Sequence, residues 1–249
     1  MLDERRKAYL QAMGIDLWSA RSSVISIESV EDVVAHAVTS KTPELKSPSV
    51  EISQDETPAI PNLGWPELIE RVSVCDICDL SQSRTKSIFG SGSVSADLMI
   101  VAGAPEDEED RLGEPFVGRA GQMLTAMLAA IGFRRDQVYL TNLAKCRPPE
   151  GRDPVTSELE SCRVFLDRQI ALVQPKIILS MGFLATQSLL RKEAELDQLR
   201  GQLLQYLPSN IPVLASYHPT YLLKHPEAKA KAWKDLQLLH HELNRESLQ

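Results

Sequence analysis

The sequence lacks long apolar runs, and it has no excess of positive charge. None of its apolar runs approaches the roughly 18 residues that a membrane helix needs. The charged first residues, MLDERRKAYLQAM, lack the apolar core of a secretory signal. Glycine and proline, at 12 and 15 of 249 residues, are too scarce for a fibrous or low-complexity chain. These absences predict a globular protein of the cytoplasm that does not enter a membrane.

The net charge of −7 is unusual for a protein that binds nucleic acid, but it is unevenly distributed. Residues 1–70 carry a balance of −6, and residues 71–249 carry only −1. Five consecutive acids occupy positions 106–110, and the rest of that second part carries +4. A mildly basic body with one acidic spot is compatible with weak electrostatic attraction to DNA.

Composition divides the chain into three parts. Residues 1–21 contain a short helical pattern at positions 3–13. Residues 22–64 form a predicted flexible linker, because positions 39–62 contain four prolines and almost no large apolar side chains. The sequence therefore predicts a disordered N-terminal extension joined to one folded domain over residues 65–249.

Within that domain, short apolar runs alternate with amphipathic stretches. The predicted strands are residues 97–102, 137–142, 176–181 and 211–216, and the predicted helices are residues 118–132, 156–173, 182–191 and 226–245. This alternation predicts an α/β fold with a parallel sheet that is buried on both faces. Sites in such folds lie beyond the carboxyl ends of the strands, so candidate residues are those that follow each strand.

The chain has four cysteines, Cys75, Cys78, Cys146 and Cys162. Cys75 and Cys78 form a C-x2-C pair, which lets two thiolates converge on one metal centre, and the other two could complete a site of four thiolates. Spacing alone does not decide between zinc and a [4Fe–4S] cluster. The alternative is a set of buried structural thiols with a C-x2-C pair that arises by chance.

Three motifs and the cysteine spacing together resemble one known family. The motifs are EPFVGRAGQML (114–124), TNLAKCRPPEGR (141–152) and YHPTYLL (217–223). In this order they resemble the family 4 uracil-DNA glycosylases, the iron–sulfur members of their superfamily, over about 180 residues from Leu68 onward. The resemblance implies a three-layer αβα fold around a four-stranded parallel sheet. It also implies a structural [4Fe–4S] cluster on the four cysteines and removal of uracil from DNA in base excision repair.

The chemistry of uracil removal assigns roles to three residues. The nucleotide must flip out of the stack into a pocket, where Phe116 would stack on the base as its equivalent does in the family. Asn142 offers both a donor and an acceptor to the base edge, which would distinguish uracil from cytosine. A neutral His218 would donate to a uracil carbonyl oxygen and stabilise the departing anion. The alternatives are a core phenylalanine, a strand-capping asparagine and a structural histidine.

The apolar run that follows the histidine is a candidate contact to the duplex. Tyr221, Leu222 and Leu223 could wedge into the base stack where the flipped nucleotide leaves it. The alternative is that these three residues begin a helix that packs on the body of the protein.

The first active-site motif of the family is altered in this chain. The family pattern is Gly-Glu-Ala/Gly-Pro-Gly, then two residues, then Glu-Asp. Here Gly103 stands in place of the first Glu, and Glu106 stands in place of the last Gly. Glu109 remains as the acid that could position the attacking water, whereas the Glu106 carboxylate would oppose the uracil anion. The predicted substrate-binding residues of this motif are Gly103, Ala104 and Pro105. A solvated acidic loop is the alternative for residues 106–110.

A second resemblance concerns the N-terminal peptide. The pattern RRKxxLxxMGIxxWxxR at residues 5–21 resembles the N-terminal peptide of the psi subunit of the bacterial replicative clamp loader, which binds the clamp-loader core. An amphipathic element with an aromatic anchor on a flexible linker is suited to recruitment. The alternative function is therefore a non-catalytic, psi-like accessory subunit of the clamp loader on a glycosylase scaffold.

Overall fold

A computed structural model describes residues 59–245 of the chain. The predicted peptide at 1–21 and the linker up to residue 58 lie outside these residues. The helices are α1 (Trp65–Ser73), α2 (Leu80–Ser83), α3 (Asp107–Leu112), α4 (Gly118–Ala130), α5 (Thr156–Val173), α6 (Phe183–Leu190), α7 (Leu196–Leu199), α8 (Pro219–Lys224) and α9 (Lys229–Arg245). The strands are β1 (Ser91–Gly92), β2 (Leu98–Ala102), β3 (Tyr139–Asn142), β4 (Ile177–Met181), β5 (Leu203–Tyr206) and β6 (Ile211–Ser216). Short 3-10 helices are formed by Ile60–Asn62, Arg135–Gln137, Pro149–Gly151 and Pro226–Ala228.

The strands form one sheet in the order β1-β3-β2-β4-β6-β5. The central strands β3, β2, β4 and β6 are parallel to one another. The prediction of a four-stranded parallel sheet is confirmed for these strands, and their almost complete burial explains their apolar sequences. The edge strands β1 and β5 run antiparallel to their neighbours and were not predicted, so the sheet is mixed and has six strands.

Helices cover both faces of the sheet, which gives the predicted three layers. Alternate residues of β2 point to opposite faces: Leu98 and Ile100 contact one apolar cluster, and Met99 and Val101 contact the other. The first cluster contains buried residues of α4, α8 and α9, and the second contains buried residues of α5 and α6. The two clusters therefore form the two halves of one α/β core.

The folded body begins before Trp65, so the predicted linker is too long at its C-terminal end. Leu63 is 4% exposed, and its carbonyl oxygen accepts a hydrogen bond of 2.7 Å from Nε of Arg168 on α5. Leu68 and Val72 of α1 are fully buried against the same helix, in a cluster with Phe165. Burial of each such side chain stabilises the fold by about 1.5–3 kcal/mol, which fixes this segment on the body.

No helix within residues 59–245 is both long and apolar enough to cross a bilayer.

Candidate active site

The carboxyl ends of the parallel strands bring the predicted site residues to one edge of the sheet. β3 ends at Asn142, β2 leads into Gly103, and His218 comes two residues after β6. Gly182 follows β4 with a φ of 92°, a conformation that side chains disfavour. A Cβ atom on Gly182 would lie 3.3 Å from Cβ of His218, so the glycine allows the backbone to approach the histidine closely.

Glu109 on α3 is buried and links three parts of the site. Its Oε2 accepts the backbone N–H of Glu106 at 2.7 Å, and its Oε1 accepts the backbone N–H of Phe116. The side-chain amide of Asn142 donates to Oε2 at 3.5 Å. Burial raises the pKa of Glu109, whereas the two backbone donors lower it. The carboxylate therefore fixes the segment before Phe116 and orients the Asn142 amide.

The alternative of a solvated acidic loop for residues 106–110 is wrong for Glu109 and Asp110, which are buried. Asp110 is 4% exposed, and its carboxylate accepts the backbone N–H of Thr85 at 2.9 Å and that of Lys86 at 3.3 Å. The run of five acids does not by itself single out Asp110 for this role. These bonds fasten the segment after the C-x2-C pair to α3.

Asn142 is completely buried, and one of its polar atoms has no partner. Its Oδ1 atom accepts no hydrogen bond from any residue in the described part of the chain. Its Nδ2 donates to Glu109, which fixes the orientation of the amide group. An acceptor without a partner, held in place at a strand end, is suited to a donor on a ligand.

Phe116 adopts a left-handed backbone conformation, with a φ of 54°, that non-glycine residues rarely take. Its N–H bond to Glu109 holds this conformation. The ring is only 1% exposed and stacks against His218, with 5.7 Å between ring centroids and 24° between ring planes. Phe116 is thus part of the core and also a neighbour of the candidate catalytic histidine.

The surroundings of His218 favour a neutral imidazole with a free donor. Nδ1 accepts the backbone N–H of Thr220 at 3.3 Å, so the proton of the neutral ring is on Nε2. Burial lowers the pKa of His218, and the nearby charge of Glu106 acts in the opposite direction. The geometry therefore provides an N–H donor that carries no charge.

A cavity of about 310 Å³ opens beside His218. Its lining includes Glu106, Glu109, Arg119, His218, Thr220 and Leu223. Glu106 is exposed, and its Oε1 accepts a hydrogen bond of 2.8 Å from the Thr220 hydroxyl. Glu106, one of the two residues that depart from the family motif, therefore lies in the wall of this cavity.

The Leu184 side chain leaves little room for a side chain at Gly103, where the family motif has a glutamate. A Cβ atom at this position would lie 2.9 Å from Cδ2 and 3.3 Å from Cβ of Leu184. The carbonyl oxygen of Gly103 accepts the N–H of Ala144 at 3.0 Å, so the backbone is held in place. A glutamate at Gly103 would therefore require the Leu184 side chain to move.

The three residues of the predicted wedge, Tyr221, Leu222 and Leu223, differ in their exposure to solvent. Leu222 is 1% exposed and belongs to the apolar core, so it is not available to enter DNA. Tyr221 is 43% exposed, and Leu223 is partly exposed in the wall of the 310 Å³ cavity. The alternative of a helix start packed on the body is thus correct for Leu222.

The four cysteines lie in one region of the structure. Cys146 and Cys162 are buried, and Cys75 and Cys78 are half-buried. Burial is the main cause of the raised pKa of Cys146, and charges on Cys78 and Cys75 add to it. Burial also raises the pKa of Cys162 to about 11, again with contributions from Cys146 and Cys78. Within residues 59–245, no group of three or more His, Cys, Asp or Glu side chains is arranged to hold a metal ion.

A buried lysine, Lys145, is not among the residues predicted from the motifs, and it contacts both Asn142 and Cys162. Nζ of Lys145 donates to Thr141 Oγ1 at 2.7 Å, to the carbonyl oxygen of Asn142 at 2.7 Å and to Gln169 Oε1 at 2.6 Å. Desolvation lowers its pKa to about 7, and the thiols of Cys162 and Cys146 raise it. All three acceptors are uncharged, and within residues 59–245 the charges that favour the ammonium form are those of the Cys162 and Cys146 thiolates.

The thiol region fits an anionic iron–sulfur centre by its donor chemistry. Four soft sulfur ligands are the set that such clusters use. The backbone N–H of Lys145 donates to Cys162 Sγ at 3.2 Å, and Nη1 of Arg84 lies 3.0 Å from Cys146 Sγ. Hydrogen-bond donors and a buried cation beside the sulfurs would stabilise the negative charge of a bound cluster.

The fold and this site identify the class of protein. Residues 89–237 match the model of the uracil DNA glycosylase superfamily, and the chain belongs to this superfamily.

Within the superfamily, the chain is similar to proteins named Type-4 uracil-DNA glycosylase. It is 35% identical to that of Archaeoglobus fulgidus over 177 residues, which cover 69% of this chain and 89% of the relative. It is 41% identical to that of Sulfurisphaera tokodaii over 167 residues, which cover 64% and 76%. It is 38% identical to that of Thermotoga maritima over 156 residues, which cover 62% and 81%.

Proposed function

We propose that this protein is a uracil-DNA glycosylase, which flips uracil out of DNA and hydrolyses its N-glycosidic bond as the first step of base excision repair. The observation that carries the proposal is the unpartnered Oδ1 of Asn142. Leaving a buried acceptor unpaired costs about 1–3 kcal/mol, and a bound base with an N–H at its edge would remove that cost. The similarity to Type-4 uracil-DNA glycosylases supports the same activity.

The orientation of the Asn142 amide accounts for the choice of base. Glu109 accepts one hydrogen atom of Nδ2, so Oδ1 is held as an acceptor and the second hydrogen atom is free. Uracil offers an N3–H donor beside a carbonyl oxygen, which matches this pair. Cytosine offers an acceptor at N3 and an amino group, so both contacts would be unfavourable.

His218 is suited to stabilise the leaving group. A neutral imidazole that donates from Nε2 to a uracil carbonyl oxygen would stabilise the negative charge that develops as the bond breaks. Because Phe116 is almost fully buried beside this ring, a base that stacks on Phe116 can reach it only if neighbouring side chains such as His218 move. Base entry is thus coupled to placement of the histidine.

Glu109 is assigned a positioning role. Both of its oxygens already accept hydrogen bonds, from Glu106, Phe116 and Asn142. These contacts support the placement of the Phe116 ring and of the Asn142 amide. Positioning of the attacking water by Glu109 stays a prediction, as does the approach of the base to Gly103, Ala104 and Pro105.

The contact to the DNA duplex is assigned to Leu223. Its partly exposed side chain lines the cavity beside His218, next to the place where a nucleotide would leave the stack. An apolar side chain there could occupy the vacated space in the duplex.

The function is tested by an excision assay. The full chain is incubated with oligonucleotides that contain one uracil, in single- and double-stranded form, and strand cleavage at the abasic product is measured. Release of uracil, with no release of cytosine or thymine from matched oligonucleotides, is expected. No release from either form would contradict the proposal and would favour the non-catalytic alternative.

We further propose that Cys75, Cys78, Cys146 and Cys162 bind a [4Fe–4S] cluster. When bound, the cluster would act as a structural cross-link between the segment before the sheet, the loop after β3, and α5. The Lys145 cation would compensate its negative charge. A cluster of this kind needs reduced thiols, which agrees with the predicted cytoplasmic location.

The Cys162→Ser variant is expected to lose the brown colour of the purified protein and to give less folded protein. The colour would come from thiolate-to-iron charge transfer, and loss of one ligand removes part of the cross-link. The measurement is visible absorbance and iron content, with Ser161→Ala on the same helix as the control that keeps both. A colourless wild-type protein with one zinc ion per chain would contradict the cluster.

The clamp-loader partner is a separate proposal that rests on residues 5–21 alone. These residues lie outside the described part of the chain. Deleting residues 1–21 is expected to abolish capture of the clamp-loader core in a pull-down and to leave excision unchanged. Trp18→Ala should weaken capture by about 2 kcal/mol or more, as expected for an aromatic anchor. Equal capture by wild type and both variants would remove this partner.

A further inference from the structure

The strand that leads to His218 ends against a buried carboxylate. Asp235 of α9 is completely buried, and its Oδ2 accepts a hydrogen bond of 2.8 Å from the hydroxyl of Ser216, the last residue of β6. Nε and Nη2 of Arg200 donate to the same oxygen at 3.2 Å and 2.8 Å. The Arg200 side chain is only 11% exposed, so the two residues form a buried ion pair that contacts the end of β6.

Arg200 also contacts Tyr217, the residue directly before His218. The Arg200 guanidinium lies 5.0 Å from the centre of the Tyr217 ring, a distance at which a cation is attracted to an aromatic face. The Tyr217 hydroxyl donates to the carboxylate of Asp197. The two residues that precede His218 are therefore both fixed by charged side chains from other parts of the fold.

The His218 ring itself has few contacts that fix it. Within residues 59–245, its one hydrogen bond joins Nδ1 to the N–H of Thr220 at 3.3 Å, and the ring stacks against Phe116. Entry of a base requires neighbouring side chains such as this ring to move. The final place of the ring then depends on how firmly the backbone that carries it is held.

Stability alone is a poor explanation for the ion pair. Oδ1 of Asp235 has no hydrogen-bond partner among residues 59–245. Burial raises the pKa of this carboxyl group, and the hydrogen bonds from Ser216 and Arg200 lower it. Apolar residues in place of a buried ion pair often leave the stability unchanged or increase it. The position that the pair imposes on the end of β6 is a better explanation.

We propose that Asp235 and Arg200 are positioning residues, which fix the backbone at Ser216 and Tyr217 so that His218 meets the base in one orientation. The inference rests on the proposed glycosylase function, in which His218 donates to the uracil anion. Both residues lie outside the lining of the 310 Å³ cavity, so they act on the histidine and not on the substrate. A misplacement of about 1 Å can lower a rate by about 10²-fold, which makes such an effect measurable.

The test is a double-mutant cycle on uracil excision by the full chain under single-turnover conditions. Asp235→Asn is expected to lower the maximal rate by about 10- to 10²-fold and to leave the affinity for the oligonucleotide unchanged. In a His218→Ala background the same substitution should change the rate by less than about twofold, because the group that it positions is absent. An equal loss in both backgrounds, or no loss in the wild-type background, would overturn the inference.

Asp167→Asn is the matched control. Asp167 accepts a hydrogen bond from the Tyr206 hydroxyl and lies 3.6 Å from Nε of Arg163, so it has the same kinds of partner as the carboxylates near His218. Tyr206 belongs to the apolar cluster on the other face of the sheet. This variant should keep the wild-type rate. A comparable loss in it would show a general effect of removing a negative charge and would also overturn the inference.

A variant with both Asp235→Leu and Arg200→Met controls for unfolding. It removes both charges and replaces the pair with apolar side chains, so it should melt close to the wild-type temperature. It should nevertheless lose about tenfold or more in the maximal rate, because the contacts with Ser216 and Tyr217 are gone. A folded double variant with the wild-type rate would overturn the positioning role.

Amide hydrogen exchange tests the inference without excision. The N–H groups of Thr220 and Leu222 donate to Nδ1 and to the carbonyl oxygen of His218, at 3.3 Å and 3.1 Å. If the ion pair holds this segment, these amides should exchange about tenfold faster in Asp235→Asn and at the wild-type rate in Asp167→Asn.

Failure of the inference and failure of the proposed function therefore give different results. If the wild type releases uracil and Asp235→Asn changes neither the rate nor the exchange, only the positioning role is wrong. If the wild type releases no uracil but the exchange changes as expected, the ion pair does position His218 and the glycosylase function is wrong.

Discussion

Replacing His218 with alanine is expected to lower the rate of uracil excision by about 10²- to 10³-fold, the scale of losing one hydrogen-bond donor to a developing negative charge. The Nε2 proton is available because Nδ1 accepts the N–H of Thr220. Single-turnover excision from a uracil oligonucleotide measures the effect, with His240→Ala on the exposed face of α9 as the control. A wild-type rate in His218→Ala would refute the assigned role.

The same assay, carried out as a function of pH, tests the charge states of His218 and Glu109. Protonation of His218 would remove the lone pair that accepts from Thr220, and protonation of Glu109 would disturb its contacts with Phe116 and Asn142, so activity should fall as the pH drops through these pKa values. The Glu106 charge raises the pKa of both groups.

Glu106→Gln is therefore expected to move the acid limb of the profile to lower pH. The variant should also raise the rate at neutral pH, because a carboxylate in the cavity wall opposes the uracil anion. Glu160→Gln makes the same change in net charge on an exposed part of α5 and should leave the limb in place. An acid limb that moves to higher pH in Glu106→Gln would contradict this account.

The second large effect is expected for Asn142→Ala. Loss of the amide removes the acceptor for the uracil N–H and the donor that matches its carbonyl oxygen, and it leaves Glu109 without its side-chain partner. We expect excision to fall by about 10²-fold or more, because two directional contacts are lost from a buried site. The selectivity for uracil over cytosine should fall in parallel.

The measurement compares release of uracil and of cytosine by wild type and variant under single-turnover conditions. Asn244→Ala, an exposed asparagine on α9, serves as the control for the substitution itself. Unchanged selectivity in Asn142→Ala, whatever its rate, would contradict recognition of the base edge by this residue. A similar loss in Asn244→Ala would point to a general effect on stability.

Much of the fold was predictable because the central strands are buried, and a buried strand is recognisable in the sequence as a run of apolar residues. β2 and β4 are buried along their whole length, so each reads as a continuous apolar run. The edge strands could not be found in this way. β1 has only two residues, and three of the four residues of β5 are at least partly exposed, so their pairing depends on β3 and β6 and not on a local pattern.

The sequence by itself determined the four central strands, the long helices between them, the four cysteines and the motifs at the strand ends, because these features depend on residues close together in the chain. The tertiary structure decided the neighbours and the hydrogen-bond partners of each side chain. It buried Leu222 in the core, left Oδ1 of Asn142 without a partner, surrounded Lys145 with uncharged acceptors, and joined Asp235 to the end of β6. These outcomes depend on contacts between residues far apart in sequence, since burial and hydrogen bonding are set by the packed neighbours and not by local spacing.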